Sequence, residues 1–286
     1  MSGVWDRASL IDQALPPDWA QTWQQGQARI VAVSARSGVA VCGRGRSGSI
    51  RLELSASSGA DFDAERHFYL GQIEGRLVFA AIDDSVEAVG LREAVAHLGV
   101  VEAELAVKAL AVVQYHANNR HCPICGGSTT SQGPNWWRWC PQCRIQHFPR
   151  TDPAIIVAVV DEQDRLLLGH NSAWPDNRYA LFAGFVEAGE SLEQAAIREV
   201  FEEVGLLVSD LRYAGSQPWP APRSLMVGFT ATTKATTPHP DQREITAAHW
   251  FERDQLRQAV DRAEIVLPPD GSIGYRMITE WYGQPI

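Results

Sequence analysis

Residues 184–206 read GFVEAGESLEQAAIREVFEEVGL, and this stretch decides how the C-terminal part of the chain folds. It starts in a glycine-containing loop and continues into an amphipathic helix. Glu199, Glu202 and Glu203 stand at i, i+3 and i+4 and share one face of that helix. Like charges at this spacing destabilise a helix, so the pattern predicts a bound cation, most simply a hard divalent ion such as Mg²⁺. The alternative is an acidic face exposed to solvent.

The ends of this helix are marked in the sequence. Ser191 and Gln194 have the spacing of a capping box at the start, and Gly205 is typical of a C-terminal stop. The opposite face is an apolar stripe that we expect to pack on a core. Its members are Leu192, Ala195, Ala196, Val200 and Val204.

The stretch matches the pattern G-x5-E-x7-R-E-U-x-E-E-x-G-U, where U is apolar, at every fixed position. The matching residues are Gly184, Glu190, Arg198, Glu199, Val200, Glu202, Glu203, Gly205 and Leu206. The stretch resembles the Nudix box, which is found in hydrolases of nucleoside diphosphates linked to another moiety. We interpret Glu190 and Arg198 as an ion pair that holds the loop against the helix.

The resemblance implies a catalytic metal site. It makes Glu199, Glu202 and Glu203 the catalytic residues and ligands of Mg²⁺ or Mn²⁺. It adds the backbone carbonyl of Ala183 and, from outside the box, the carboxylate of Glu244. Glu244 lies in DQREITAAHW, directly before a predicted strand. A solvated loop glutamate is the alternative for that residue.

Four of the five cysteines form two C-x-x-C pairs, Cys122 with Cys125 and Cys140 with Cys143. Each pair aims two thiolates at one point, and four thiolates complete a tetrahedral site with no open position. The spacing therefore predicts a structural zinc ribbon. A redox pair or free thiols are the alternatives. Cys42 is left over, and we expect it to be a small buried core residue.

Residues 216–226 read SQPWPAPRSLM. Prolines at alternate positions fix the backbone and favour a stiff, extended segment that presents Trp219 and Arg223 at little entropic cost. A plain proline-rich turn is the alternative, and composition alone does not reject it. The segment resembles the SQPWPFPxS array of NADH pyrophosphatases of the NudC type within the Nudix family. A zinc ribbon directly before the Nudix domain is the second mark of that family. Box, array and ribbon occur in the expected order, and the resemblance covers most of the chain.

The resemblance also implies which residues contact the substrate. They are Arg92, Phe148, Phe185, Gln217, Pro218, Trp219, Pro220, Ala221, Pro222, Arg223, Ser224 and Gly274. Two of them depart from the usual pattern of the family. Ala221 replaces a phenylalanine, which removes an aromatic contact that can contribute about 0.5–1.5 kcal/mol. Phe148 replaces a tyrosine and keeps the ring while losing the hydroxyl. Ala221 therefore bears on substrate preference more than on the reaction.

The chain has 286 residues, of which 45% are hydrophobic and 21% charged, with a formal net charge of −9. This balance argues against broad binding to nucleic acid or to anionic membranes, but it does not exclude a single nucleotide held by local groups. The first residues, MSGVWDRASLIDQ, lack the basic start and apolar run of a signal peptide. We therefore expect a cytoplasmic protein with no membrane association.

The predicted fold class is α+β with three domains. Residues 1–118 form a β-rich N-terminal domain, expected to be antiparallel, that ends in two linking helices near 90–99 and 101–117. Residues 119–149 form the zinc ribbon. Residues 150–286 form the Nudix domain, an α/β/α sandwich with a mixed sheet.

The function that this resemblance implies is metal-dependent hydrolysis of the diphosphate bond of NAD(H), which yields nicotinamide mononucleotide and AMP. Removal of NAD caps from RNA 5′ ends is a related activity because the same bond breaks. The family is typically homodimeric. One alternative is a Nudix hydrolase of ADP-ribose or dinucleoside polyphosphates. Another is a nucleotide-sensing regulator, which needs a basic surface and tolerates a broken box, whereas this chain is acidic and its box carboxylates are all present.

Overall fold

The computed structural model describes residue 11 and residues 14–36, 38–42, 50–57 and 62–286. Within these ranges the strands form a seven-stranded, a three-stranded and a six-stranded sheet, in that order along the chain. No helix in the described ranges combines the length and the apolar character that crossing a membrane requires. Cys42 lies in a strand, but its side chain is outside the described part of the structure, so its predicted burial stays a prediction.

The N-terminal sheet follows a short helix, α1 (Trp19–Gln24). Its strands are β1 (Arg29–Ser34), β2 (Gly38–Cys42), β3 (Arg51–Leu52), β4 (Leu54–Ala56), β5 (His67–Ile73), β6 (Arg76–Ile82) and β7 (Ala88–Val89). The main path is β3-β2-β1-β6-β5, with β4 on β1 and β7 on β2. The expectation of an antiparallel domain was wrong at one pairing, because β1 and β6 run parallel with Val31 opposite Ala80. Alternation of apolar residues predicts which face of a strand is buried, but it carries no information on strand direction.

Two helices lead out of this sheet, α2 (Leu91–His97) and α3 (Val100–Asn118). Apolar residues surround α3 on most sides, as its buried Leu105, Leu110 and Val113 illustrate. The helix packs on β1, β5 and β6. Trp136 and Trp219 from later parts of the chain pack against the same core. These two contacts agree with the predicted linking role of the helix, and the domain division itself stays a prediction.

The three-stranded sheet belongs to the cysteine-rich segment. Its strands are β8 (Thr130–Ser131), β9 (Arg138–Cys140) and β10 (Ile145–His147), in the order β10-β9-β8. Arg138 is 2% exposed and donates to Glu65, to His116 and to Thr129. Because Glu65 and His116 belong to the N-terminal part of the chain, this one guanidinium joins the small sheet to the larger one.

The C-terminal sheet has the strands β11 (Asp152–Asp161), β12 (Leu166–Asn171), β13 (Phe182–Phe185), β14 (Ser209–Trp219), β15 (Ser224–Thr233) and β16 (Ile245–Phe251). The main order is β14-β15-β11-β12-β16, and β13 pairs with β11. The sheet is mixed, since β11 runs parallel to β15 and antiparallel to β12 and β13.

Helices cover both faces of this sheet. Helix α4 (Leu192–Val204) packs on one face, where Val200 and Val204 meet Ile155 and Val157. Helices α5 (Arg253–Asp261) and α6 (Ile273–Tyr282) contribute Leu256 and Met277 to the core on the other face, together with Ile156 and Leu168. The predicted α/β/α sandwich with a mixed sheet is confirmed.

Candidate active site

Helix α4 has the ends that its sequence predicts. The Ser191 hydroxyl accepts a hydrogen bond from the Gln194 backbone N–H at 3.1 Å, and the Gln194 side chain accepts one from the Ser191 N–H at 2.8 Å. At the other end Gly205 has φ of 67°, a left-handed conformation that glycine adopts at little cost. The helix is thereby held at both ends, and its glutamates project from a fixed frame.

Arg198 connects this helix to the loop before it. Its guanidinium donates to both carboxylate oxygens of Glu190, each at 2.8 Å, and to the Phe185 carbonyl at 3.0 Å. The hydrogen bonds from Arg198 lower the pKa of Glu190 to about 2. The predicted Glu190–Arg198 pair is present. Arg198 also contacts Glu199 at 2.9 Å and Glu202 at 3.1 Å, so one cation serves three carboxylates.

The Glu199 carboxylate lies against the backbone of β13. Gly184 pairs with Ile155 across the sheet, and a β-carbon built on Gly184 would be 2.1 Å from the carboxylate carbon of Glu199. Any side chain at this position would displace the carboxylate. Ala183, the predicted carbonyl ligand, is the preceding residue of the same strand, opposite Ile156.

Glu203 is the most buried acid of the site, with 5% of its surface exposed. Its Oε2 atom is buried and has no hydrogen-bond partner. Burial raises the pKa of Glu203 to about 8, and the nearby charges of Glu244, Glu199, Asp241 and Glu202 act in the same direction. A buried carboxyl oxygen without a partner, surrounded by other carboxylates, is stabilised by a cation.

Glu244 reaches the same place from a loop. The side chain of Asp241 accepts hydrogen bonds from the backbone N–H groups of Arg243, Glu244 and Ile245, which folds the turn. The Asp241 N–H donates to the Glu203 carbonyl at 3.1 Å, so the turn is attached to the end of α4. The amide of Asn171 donates to Glu244 Oε1 at 3.2 Å. Sequence reasoning did not identify Asn171 or Asp241. An aspartate whose side chain accepts a hydrogen bond from the backbone N–H two residues later is a known turn signal, and Asp241 with Arg243 has this spacing.

The acids do not converge as tightly as the cysteines do. Glu202 is 58% exposed at its side chain and turns toward Arg198. Among the described residues, the four cysteines are the one group of three or more ligating side chains whose donor atoms all lie within 4.8 Å of one another. The carboxylates nevertheless fit a divalent cation, because hard cations take oxygen ligands and the orphaned Glu203 oxygen faces this cluster of acids.

The four cysteines form the second candidate metal site. The sulfur of Cys122 is 3.9 Å from that of Cys143, and the sulfur of Cys125 is 3.6 Å from that of Cys140. Tetrahedral bonds of about 2.3 Å to zinc place sulfur atoms about 3.8 Å apart. The spacing of these sulfurs therefore fits one tetrahedral ion, and no disulfide joins the four thiols.

The proline array closes the edge of the C-terminal sheet. It occupies the end of β14, a turn and the start of β15, where Trp219 pairs with Ser224. Ala221, Pro222 and Arg223 are exposed at the turn, and Arg223 donates to Asp152 at 2.8 Å. The prediction of a stiff, extended segment is confirmed for residues 216–219, which belong to β14, but it was wrong for residues 220–223, which form a turn. Proline fixes φ at a value that suits turns as well as extended strands, so the spacing of prolines does not separate the two.

Gln217 differs from its neighbours because it is 1% exposed. Its amide nitrogen donates to the Gly271 carbonyl at 2.8 Å, and its amide oxygen accepts from the Ile273 N–H at 2.7 Å. Both ends of the side chain are therefore used by the segment that starts α6. Gly274 follows in that helix, and a β-carbon there would be 3.3 Å from Ile156 Cδ1. Gln217 thus ties the array to the helix that carries Gly274.

A cavity of about 500 Å³ lies where the array, the cysteine-rich segment and α3 meet. Its aromatic walls come from Tyr115, Trp136 and Trp219, and cationic groups at its edge come from Lys108 and Arg223. This volume falls within the range of small-molecule pockets. Sequence reasoning did not identify Tyr115 or Lys108, because both belong to a helix distant in sequence from the array.

Three other predicted substrate residues lie at the surface. Phe148 is 49% exposed and Phe185 is 56% exposed, which is unusual for large aromatic side chains. Phe185 pairs with Ala154 of β11, next to the loop that Arg198 holds. Arg92 is exposed on α2, in the N-terminal part of the chain. Their predicted roles stay predictions.

Comparison with known proteins agrees with this geometry. A family model of the NUDIX domain matches residues 150–268. The protein named NAD-capped RNA hydrolase NudC from Mycobacterium bovis is 38% identical over 246 residues, which cover 78% of this chain and 77% of that protein. The protein of that name from Mycobacterium tuberculosis has the same identity, 38%, and the same coverage. The Shigella boydii protein of that name is 33% identical over 230 residues, covering 80% of this chain and 86% of that protein. This chain therefore belongs to the NudC family of Nudix hydrolases.

Proposed function

We propose that the chain hydrolyses the diphosphate bond of NAD(H) to nicotinamide mononucleotide and AMP, and the same bond in the NAD cap of RNA. The observation that carries the proposal is the buried, unpartnered Oε2 of Glu203 among the acids of α4 and Glu244. The proline array lies at the end of β14 and the start of β15, in the sheet that α4 covers. The relatives named NAD-capped RNA hydrolase, which share 33–38% of their residues with this chain, support the substrate class.

We assign Glu199, Glu203 and Glu244, with the Ala183 carbonyl, to holding Mg²⁺ or Mn²⁺. Glu202 completes the acidic set on its exposed side. When bound, such an ion neutralises charge on diphosphate oxygens and makes water a better nucleophile. The helix frame keeps the acids in place while substrate enters, because Arg198 anchors both the loop and the helix.

The reaction adds one water across one P–O–P linkage. The water oxygen forms a bond to one phosphorus, and the bond from that phosphorus to the bridging oxygen breaks. The proton lost by the water passes to a carboxylate of the site, and the departing phosphate leaves as a nucleotide monoester.

Substrate binding falls to the array and the exposed aromatic rings. Trp219 and the prolines beside it line the cavity of about 500 Å³. Phe148 and Phe185 offer exposed faces on which a nicotinamide or adenine ring can stack. Gln217 takes part by positioning the start of α6 and Gly274 relative to the array.

Other parts of the proposal concern the whole molecule. We propose zinc as the ion of the four cysteines, since four thiolates with tetrahedral spacing close the site to substrate. The division into domains at 118/119 and 149/150, the homodimer and the cytoplasmic location are proposed on the family resemblance. The two C-x-x-C pairs favour metal binding over disulfides, as is usual in an intracellular chain.

A substrate panel tests the proposed function. The purified full chain is incubated with NADH, NAD⁺, ADP-ribose, diadenosine polyphosphates and NAD-capped RNA, with Mg²⁺ or Mn²⁺ and with chelator, and products are separated by chromatography. We expect nicotinamide mononucleotide and AMP from NADH in the presence of metal and none with chelator. Higher turnover of ADP-ribose or diadenosine polyphosphates would assign the chain to the alternative substrates. Binding of NADH without any turnover would indicate a sensor.

A further inference from the structure

Helix α2, which carries Arg92, reaches the loop that leads to α6. Arg92 and Val95 are three positions apart on α2, so their side chains leave the helix on the same side. Val95 contacts Gly271, where a β-carbon would be 3.4 Å from Val95 Cγ1. The side of α2 that carries Arg92 therefore packs near Gly271.

A second arginine approaches the same loop from the Nudix domain. Arg178 forms an isolated parallel bridge with Val266, and the hydrogen bonds on either side join the Val266 N–H to the Asn177 carbonyl at 2.7 Å and the Tyr179 N–H to the Val266 carbonyl at 3.1 Å. The Arg178 guanidinium lies over the ring of Trp174, with 5.4 Å to the centroid. Stacking on an indole restricts the guanidinium to a few orientations.

These two guanidinium groups lack a counter-charge. In the part of the chain that the structure describes, neither Arg92 nor Arg178 forms an ion pair. Partial burial lowers the pKa of Arg178, and the charge of Arg92 lowers it further. A half-buried guanidinium that is fixed over an indole and has no ion pair among the described residues fits an anionic ligand in a chain of net charge −9.

The loop that ends at Arg178 begins at the active site. Asn171, the last residue of β12, donates to the Glu244 carboxylate at 3.2 Å, and the N–H of Ser172, the first residue of the loop, donates to the Glu244 carbonyl at 2.8 Å. The ring of His170, one residue earlier, hydrogen-bonds the Arg178 carbonyl at 2.9 Å. The arginine pair is thus one short loop away from a carboxylate of the proposed metal site.

We propose that Arg178, with Arg92 beside it, binds the phosphodiester groups of the RNA chain that follows an NAD cap. This inference rests on the proposed function. Free NAD(H) carries only the diphosphate that is cleaved, whereas capped RNA adds a phosphodiester at the ribose of the adenosine. Guanidinium groups bind phosphate oxygens through paired hydrogen bonds, so the arginine pair favours the RNA substrate over the free dinucleotide.

Hydrolysis by substitution variants tests the proposal. The ratio of kcat/KM on a short NAD-capped RNA to kcat/KM on NADH is measured for the full chain and for Arg178→Gln. We expect this ratio to fall about tenfold. Arg76→Gln is the matched control, because Arg76 is exposed in the β5–β6 hairpin and also lies outside any ion pair among the described residues. An unchanged ratio in Arg178→Gln, or an equal loss on both substrates, would overturn the proposal.

A binding measurement keeps this test independent of turnover. The Kd of NAD-capped RNA for the Glu203→Gln protein is measured against salt concentration, with and without Arg178→Gln. Loss of one phosphate contact should reduce the slope of log Kd against log salt by about 0.7. Arg178→Lys keeps the charge and should retain most of the slope, which separates charge from folding. If wild-type protein cleaves neither NADH nor capped RNA, the proposed function fails, while the salt slope still decides whether Arg178 contacts the RNA chain.

Discussion

The carboxylate of Glu199 occupies the space where a side chain of Gly184 would begin, since a β-carbon at residue 184 would be 2.1 Å from the carboxylate carbon. This contact joins the middle of α4 to the end of β13. It explains why a glycine stands at position 184, fifteen residues before Glu199. The backbone of the strand forms one wall of the proposed metal site, and the glycine lets the acid approach that wall.

Gly184→Ala should therefore displace Glu199 and lower kcat on NADH by roughly a hundredfold, since several kcal/mol of charge stabilisation depends on such ligands. The obstructing atoms are the end of a flexible side chain, so the protein should still fold, with little change in Tm. Gly99→Ala is the control, because the nearest atom to its new β-carbon would be 3.7 Å away. Wild-type turnover in Gly184→Ala would show that the position of Glu199 does not matter for the reaction.

Glu203→Gln should keep the shape of the site and lower kcat by roughly two to three orders of magnitude. It also removes the carboxyl whose burial raises its pKa to about 8, so in chelator at pH 9 the variant should have a higher Tm than the wild-type protein. Steady-state kinetics and thermal unfolding measure the two effects. Glu193→Gln, in the first turn of the same helix and exposed, should retain activity. Near-normal turnover of Glu203→Gln would remove Glu203 from the metal site.

Ala221→Phe should restore an aromatic face to the exposed turn of the array. A stacking contact contributes about 0.5–1.5 kcal/mol, which corresponds to a KM for NADH lower by roughly two- to tenfold. Ala221 is exposed, so the larger side chain does not overpack a core. The matched control is Ala56→Phe in β4, also exposed, for which KM should not change. If Ala221→Phe leaves KM unchanged on every substrate of the panel, the turn does not contact the bound ligand.

Cys125→Ser should abolish binding of the one zinc ion that we propose per chain. Structural zinc contributes to folding, and Arg138 of the same small sheet bonds Glu65 and His116 in the N-terminal part. The Tm should therefore fall by at least about 5 °C. Elemental analysis and thermal unfolding provide the measurements. Cys42→Ser is the control, because it makes the same chemical change outside the four-cysteine cluster, and this variant should still bind one zinc ion per chain. A full complement of zinc in Cys125→Ser would contradict the four-cysteine site.

His116 provides a prediction about pH. Its ring stacks on Phe68 with 3.9 Å between centroids, and its Nδ1 lies 3.2 Å from the Arg138 guanidinium. Arginine can only donate, so His116 accepts and is neutral. Burial lowers the pKa of His116 to about 3, and the charge of Arg138 acts in the same direction. The unfolded chain binds this proton near pH 6.5, so the free energy of unfolding should decrease as pH falls from about 6.5 toward 3.

His116→Gln keeps an acceptor for Arg138 and removes the titration. Denaturant unfolding of both proteins between pH 7 and 4 should show a steeper loss in the wild-type protein, by up to about 1.4 kcal/mol per pH unit. Loss of zinc at low pH affects both proteins and cancels in the difference. Parallel pH profiles would mean that His116 is not held neutral in the folded state.

Sequence reasoning was strongest where a function depends on residues close together in the chain. The capping residues of α4, the Glu190–Arg198 pair and the two cysteine pairs follow from spacing along one helix or one turn. It was weaker where a pairing joins distant segments. The parallel contact of β1 with β6 and the burial of Gln217 depend on how whole elements pack, and single-residue patterns do not encode that information.

By itself, the sequence determined the box helix, the cysteine cluster, the array and the family, because each is a local pattern whose chemistry follows from residue type and spacing. The tertiary structure alone decided which acid is most buried, which arginines lie together and what Gln217 bonds. Those properties depend on residues far apart in the chain, such as Gln217 with Gly271, 54 positions apart, and Asn171 with Glu244, 73 positions apart. Desolvation and hydrogen bonding act on neighbours in space, so they appear only once the chain has folded.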